Sequence, residues 1–189
     1  MMVYRYLFLA LWLSWGLYWW VSSLEVKAAA RREPVLSRFL HIAPLVIAAL
    51  LLWVPGAWLD GLSGRFLPPA AWPFWAGFAV AAAGLLFTVW ARRHLGKNWS
   101  GIVTIKEGHE LITSGPYALV RHPIYTGLLL AFAGSAMALG EWRGILAVAL
   151  VLWSLWRKLR IEERWMREQF GEAYQAYSLR VAALVPFML

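Results

Sequence analysis

Two adjacent carboxylates, Glu162 and Glu163, follow an apolar run that ends at Trp156. Carboxylates at such a boundary are costly unless they are solvated or paired. Their natural partners are an amino group, ribose hydroxyls or neighbouring Lys and Arg. Lys158 and Arg167 stand four residues from Glu162 and Glu163, the spacing of helical ion pairs. A second cluster lies upstream, in GHELITSGPYALVRHPIYTG at 108–127. Gly115-Pro116 is a turn signal. His122-Pro123 puts proline where a helix would start. The free N–H groups of that start form a positive dipole end suited to a carboxylate or phosphate. Arg121 adds charge beside it, and Tyr117 and Tyr125 offer flat faces to an aromatic base. Together the clusters supply an anion site, a cation site and aromatic surfaces. That inventory fits the amino-acid end and the adenosine of S-adenosylmethionine, and it is compatible with other charged cofactors. Each part also has a plainer reading. A lone His122 would by default cap a helix or bond within a loop, and the two glutamates could form a solvated face.

The elements that must position these residues are membrane helices. The chain has 189 residues, 61% hydrophobic and 15% charged. Ordinary soluble domains are about 45–50% apolar with about 25% charge, so disorder, a coiled coil and a soluble enzyme are excluded. Four stretches between charged residues run from 19 to 26 residues, and a fifth, between Arg143 and Arg157, has 13. A spanning helix takes about 20. The fifth spans if its charged ends snorkel, or else forms a shallow hairpin with the fourth. The expected fold is all-α: an integral membrane bundle of about five transmembrane helices followed by a C-terminal amphipathic helix. Residues 1–91 form a three-helix part. Residues 92–189 carry a cofactor-binding loop, a helix hairpin and the amphipathic helix, and both parts belong to one membrane domain. Trp165, Met166, Phe170, Tyr174 and Tyr177 would lie on one face of that last helix.

Of 18 Lys and Arg, all but Arg5, Arg65 and Arg143 fall on one side of this layout. The excess of basic residues marks the cytoplasmic side. The N-terminus is then outside, and residues 92–122 and the C-terminal tail are inside. Fourteen Trp and seven Tyr suit repeated contact with the membrane interface. The first apolar run has a faint look of a cleavable signal, but its length and four tryptophans favour a resident helix. With no cysteine there is no thiol nucleophile, disulfide or cysteine-held metal, and four scattered histidines give no metal cluster. G-x-G-x-x-G, P-loop and H-E-x-x-H patterns are all missing. The net charge of +8 reads as membrane orientation rather than nucleic-acid binding.

GPYALVRHPIYTG, followed by EERWMREQFGEAYQAYSLRV and Pro186, resembles the isoprenylcysteine carboxyl methyltransferase family, whose wider group includes phospholipid N-methyltransferases. The resemblance covers about residues 95–187. It implies a membrane methyltransferase that binds S-adenosylmethionine on the cytoplasmic side and acts on a lipophilic or lipid acceptor, with the compact layout of prokaryotic members in a cytoplasmic membrane. It implies cofactor contacts from His109, Glu110, Leu111 and Ile112, from Tyr117, from His122, Pro123, Ile124 and Tyr125, and from Gly127. Glu162 and Glu163 resemble the family's acidic pair, one of which holds the cofactor's amino group. The family's substrate-side arginine, one helical turn earlier, is Lys158 here. Lysine keeps the charge without the bidentate fork. Lys158, Arg160 and Arg121 are therefore the candidate catalytic residues. The acceptor could be a prenylated cysteine, a phospholipid amine, an isoprenoid acid or a small thiol. A sterol-type reductase using NADPH and a non-catalytic membrane protein are the alternatives, and the oligomeric state is open.

Overall fold

The computed structural model describes residues 2–24, 29–32, 34–59, 61–96, 99, 104–106 and 111–186. Helices α1 (Met2–Ser22), α2 (Val35–Trp53), α3 (Ala71–Leu95), α4 (Pro123–Leu139) and α5 (Trp142–Phe170) form a bundle, followed by short α6 (Glu172–Ser178). The apolar runs become helices because a chain in lipid must satisfy its own backbone hydrogen bonds. Among the described residues α2 and α3 are long and apolar enough to cross a bilayer, and α4, with 17 residues, is a shorter apolar helix. Strands β1 (Ala29–Arg32) and β2 (Thr104–Lys106) pair antiparallel, tying the α1–α2 connection to the segment between α3 and α4. Two 3-10 turns, Gly56–Trp58 and Gly115–Ala118, complete the described elements.

The bundle is built around one tight seam. Gly77 and Gly84 on α3 face Gly134 and Gly127 on α4, running in opposite directions. A Cβ added to Gly84 would sit 2.5 Å from the Gly127 carbonyl oxygen, and one added to Gly127 would sit 2.5 Å from that of Gly84. Small residues let membrane helices approach backbone to backbone, where packing replaces the hydrophobic drive. Helix α1 fastens to this pair through two indoles: Trp12 Nε1 donates to Ser135 Oγ (3.2 Å) and Trp15 Nε1 to Thr88 Oγ1 (2.7 Å). Such bonds average about 0.6 kcal/mol within membranes, so close packing is the larger contribution. On the other side α2 joins α5. Ser154 Oγ donates to the His41 carbonyl (2.6 Å), and Arg157 to the carbonyl and hydroxyl of Ser37. Ala48, Leu51, Tyr125, Phe132, Ala147, Val151, Leu155 and Leu159 fill the space between α2, α4 and α5.

The amphipathic region after the last membrane segment is present but divided, its first part continuous with α5 and its second forming α6. Helix α5 continues for 29 residues, through Glu162 and Glu163 to Phe170. It breaks at Gly171, whose φ of +50° lies in the left-handed region that side chains disfavour. The aromatic stripe is therefore split: Trp165 and Phe170 ride on α5, Tyr174 and Tyr177 on α6. Trp165, Tyr174 and Tyr177 are buried, in keeping with a packing role.

Candidate active site

Helix α4 starts at Pro123, with His122 in the capping position, but the imidazole makes no capping bond. It turns instead toward α5. Nδ1 of His122 lies 3.6 Å from Glu162 Oε2, and Nε2 lies 3.5 Å from Glu163 Oε1. Nε2 is buried and makes no hydrogen bond. The ring stacks on Tyr125 at 5.4 Å between centroids and 6° between planes. Tyr125 donates its hydroxyl to Glu162 Oε1 at 2.5 Å. Lys158 Nζ lies 3.9 Å from the same oxygen and 5.4 Å from the Tyr125 ring centre. The two distant stretches thus converge on one cluster, with His122 between both carboxylates.

Arg121 holds the other half. Its Nε and a terminal nitrogen contact Glu163 Oε1 at 2.8 and 2.7 Å. Another terminal nitrogen donates to the carbonyls of Ser178 (2.9 Å) and Val181. The strap after α6 crosses the start of α4. The main-chain N–H groups of Arg121 and His122 donate to the carbonyls of Ala182 (2.8 Å) and Ala183 (3.0 Å). Thr126 donates its hydroxyl to the Leu184 carbonyl at 2.6 Å, and Tyr177 to that of Tyr117 at 2.6 Å. Two of the amide donors expected to meet an anion therefore cap carbonyls of the strap.

The remaining residues singled out in the sequence are distributed as follows. Leu111 and Ile112 are half-buried in the segment leading to the Gly115–Ala118 turn, where Tyr117 is buried. Pro123 is buried and Ile124 packs beside the core. Gly127 belongs to the α3 seam. Arg160 is exposed. Two residues of helix are about 200° of rotation, so it points away from the face bearing Lys158 and Glu162. His109 and Glu110 lie outside the described residues. Thr126 and Tyr177 contribute to the strap without having been singled out for it. Nothing in local composition marks them, because their partners are carbonyls 58 and 60 residues away.

Charge follows the geometry. Burial alone would raise both glutamates, but His122 pulls both below their ordinary 4.5, joined by Lys158 and Tyr125 at Glu162 and by Arg121 at Glu163, which falls to about 2. Burial alone would lower His122, yet the two carboxylates hold it above its ordinary 6.5. The sign follows by linkage. The imidazolium's contribution to stability is complete below pH 6.5 and is lost as pH rises through the raised value. The carboxylates' contribution is complete above pH 4.5 and is lost as pH falls toward 2. The melting temperature in detergent should therefore peak between pH 4.5 and 6.5 and decline on the alkaline side, and His122→Gln should flatten that decline. A wild-type profile that stays level above pH 6.5 contradicts the assignment.

Residues 72–173 match the phospholipid methyltransferase family. The chain belongs to that family. It is 35% identical over 96 residues to the protein-S-isoprenylcysteine O-methyltransferase of Schizosaccharomyces pombe, covering 49% of this chain and 41% of that one. It is 30% identical over 190 residues to the rat (Rattus norvegicus) protein-S-isoprenylcysteine O-methyltransferase, covering 93% of this chain and 66% of that one. A solved structure of the eukaryotic intramembrane Ras methyltransferase, an isoprenylcysteine carboxyl methyltransferase, superposes with a TM-score of 0.59 at 24% identity, over 78% of this chain and 52% of that one. These relatives carry the isoprenylcysteine methyltransferase name that the two sequence motifs resemble. The family is one of integral-membrane methyltransferases, and the reductase and non-catalytic alternatives give way to it.

Proposed function

We propose that this chain transfers a methyl group from S-adenosylmethionine to the carboxylate of a lipophilic acceptor of the prenylated-cysteine type. The observation that carries the reading is the convergence of His122, Tyr125 and Lys158 on Glu162. The donor set fits the cofactor. A carboxylate accepts through about four lone-pair sites, so Glu162 can take an ammonium beside its present partners. The stacked His122–Tyr125 faces suit a flat base, and the buried His122 Nε2 lies 3.5 Å from Glu163 Oε1 behind them. Leu111, Ile112, Tyr117, Pro123 and Ile124 would form the apolar surround, and His109 and Glu110 are proposed to join it. Glu163 and Gly127 act behind the site, one held by Arg121 and the other in the helix seam. Bound, S-adenosylmethionine supplies a methyl activated by its sulfonium.

The protein's part is to hold the acceptor oxygen in line with that methyl, at roughly 3–3.5 Å, and to exclude water. A carboxylate acceptor is already deprotonated, so no base is needed. Lys158 is the cation on the site face and is proposed to orient it. Arg160 points elsewhere, and Arg121 already grips Glu163. The layout of about five spans in one domain rests on the lengths of the apolar runs, the cytoplasmic placement of the site on the charge asymmetry of the loops, and a prokaryotic cytoplasmic membrane on the family resemblance alone.

A phospholipid amine is the second reading, favoured by the description of the matched family. Purified protein with radiolabelled methyl donor, offered an S-farnesylcysteine analogue or phosphatidylethanolamine, separates the two. Label in the first supports the proposal, and label in the second alone replaces it. Lys158→Ala should lower turnover on the carboxylate acceptor by roughly 10–100-fold, the effect of losing a charged hydrogen bond. Affinity for S-adenosylhomocysteine by calorimetry should stay within about twofold, and Lys158→Arg should restore most of the rate. Unchanged turnover in Lys158→Ala removes Lys158 from the substrate side.

A further inference from the structure

The outer face of α3 carries an open groove of about 450 Å³ lined by Leu86, Val89, Trp90, Arg93 and His94. These positions recur at helical spacing, so the lining is one continuous stripe. Its lower part is apolar and faces outward: Leu86 is 69% exposed and Trp90 48%. Its upper end carries two basic side chains in the last turn of the helix. The apolar part of α3 ends at Ala91, so Arg93 and His94 stand where hydrocarbon gives way to headgroups, and Trp90 is at the depth that tryptophan favours.

The three consecutive residues of this turn divide their work. Arg92 is buried, donates to the carbonyls of Gly96 (2.8 Å) and Ser22, and lies 4.4 Å from the centre of the Trp99 ring. Arg93 turns outward, and no carboxylate among the described residues forms an ion pair with it. His94 joins the groove to the interior. Its Nε2 lies 2.9 Å from Ser114 Oγ, and its ring stacks on Tyr117 at 6.4 Å and 26°. Tyr117 in turn accepts the Tyr177 hydroxyl of the strap.

We propose that this groove is a binding site for an anionic phospholipid, one acyl chain lying along Leu86, Val89 and Trp90 and the phosphate facing Arg93 and His94. The charge match selects an anionic headgroup over a zwitterionic one, and the apolar stripe selects a lipid over a free anion. Through His94 the bound headgroup steadies the Gly115–Ala118 turn that leads into the candidate active site. The inference concerns binding and stability, so it stands or falls separately from the identity of the methyl acceptor.

The test uses the full chain purified in a neutral detergent. Phosphatidylglycerol and phosphatidylcholine of the same acyl chains are added in turn, and retained lipid is read by native mass spectrometry with the melting temperature alongside. Phosphatidylglycerol should be retained at least roughly fivefold more tightly, the scale expected for one basic group at a lipid surface. Arg93→Gln should remove that preference. Trp90→Ala should weaken retention of both lipids. Both changes are at exposed positions, and an unaltered circular dichroism spectrum checks that each variant is folded. Equal retention of the two lipids overturns the proposal, as does a preference that survives Arg93→Gln. A melting shift reproduced by inorganic phosphate alone would assign a simple anion and also overturn it.

Discussion

Arg121→Ala should be the most damaging single change at the candidate site, costing about 3–5 kcal/mol and leaving little folded protein in detergent. That is the scale for removing one partner of a buried ion pair, because the other charge is left unpaired in a poorly solvated place. Glu163 is that other charge. It is buried, and Arg121 is the closest of its cations, at 2.7 Å. Arg167 also reaches it, at 3.1 Å with a side chain that is 58% exposed, and His122 Nε2 lies 3.5 Å away, so Glu163 keeps two weaker partners and the cost belongs at the lower end of that range. Arg121 does a second job that no carboxylate partner accounts for, donating to the carbonyls of Ser178 and Val181. Its loss therefore frees the strap as well as the glutamate. Arg121→Lys keeps the charge but cannot make both sets of bonds at once, and it should recover less than half of the lost stability. Fluorescence-detected size exclusion after a heating series measures both. A variant Arg121→Ala with wild-type melting would show that the clamp carries no load.

The second large effect is expected at Gly84. Even Gly84→Ala places a carbon 2.5 Å from the Gly127 carbonyl oxygen and 2.8 Å from the Ala131 nitrogen. Overpacking typically costs about 1–3 kcal/mol when side chains can shift. Here the obstacle is main chain in a helix, which cannot rotate away, so α3 and α4 must separate along the seam. Gly84→Ala should cost at the top of that range or beyond it, and Gly84→Leu should abolish the folded bundle. Gly16 on α1 is the control. A Cβ there meets nothing within 4 Å, so Gly16→Ala should lie within about 0.5 kcal/mol of wild type or be more stable. Equal melting of Gly84→Ala and Gly16→Ala would contradict the seam.

The contrast between these two sites shows what could be read from the chain. The meeting of His122 with Glu162 was legible, because two motifs with complementary chemistry flank one hairpin. The helices were legible as uninterrupted apolar runs. The seam was not. Gly77 and Gly84 are seven residues apart, as are Gly127 and Gly134, but in a chain this apolar no periodicity says which helix faces which. The continuity of α5 was hidden for a different reason. Charge begins at Arg157, and polarity alone looks like the end of a membrane helix, whereas the helix itself stops only at Gly171. The outward direction of Arg160 was available from helical geometry once Glu162 was fixed. The clamp role of Arg121 was not, since its acceptors are carbonyls that carry no sequence signature.

The strap has a consequence for how the protein is made. Helices α2 and α3, long and apolar enough to cross a bilayer, leave the ribosome early, yet the backbone groups that close the start of α4 belong to residues 182–184. Until those amino acids have been synthesised, the N–H groups of Arg121 and His122 and the Thr126 hydroxyl lack these partners. Closure of this corner thus waits for residues 182–184, which follow all the helices in the chain.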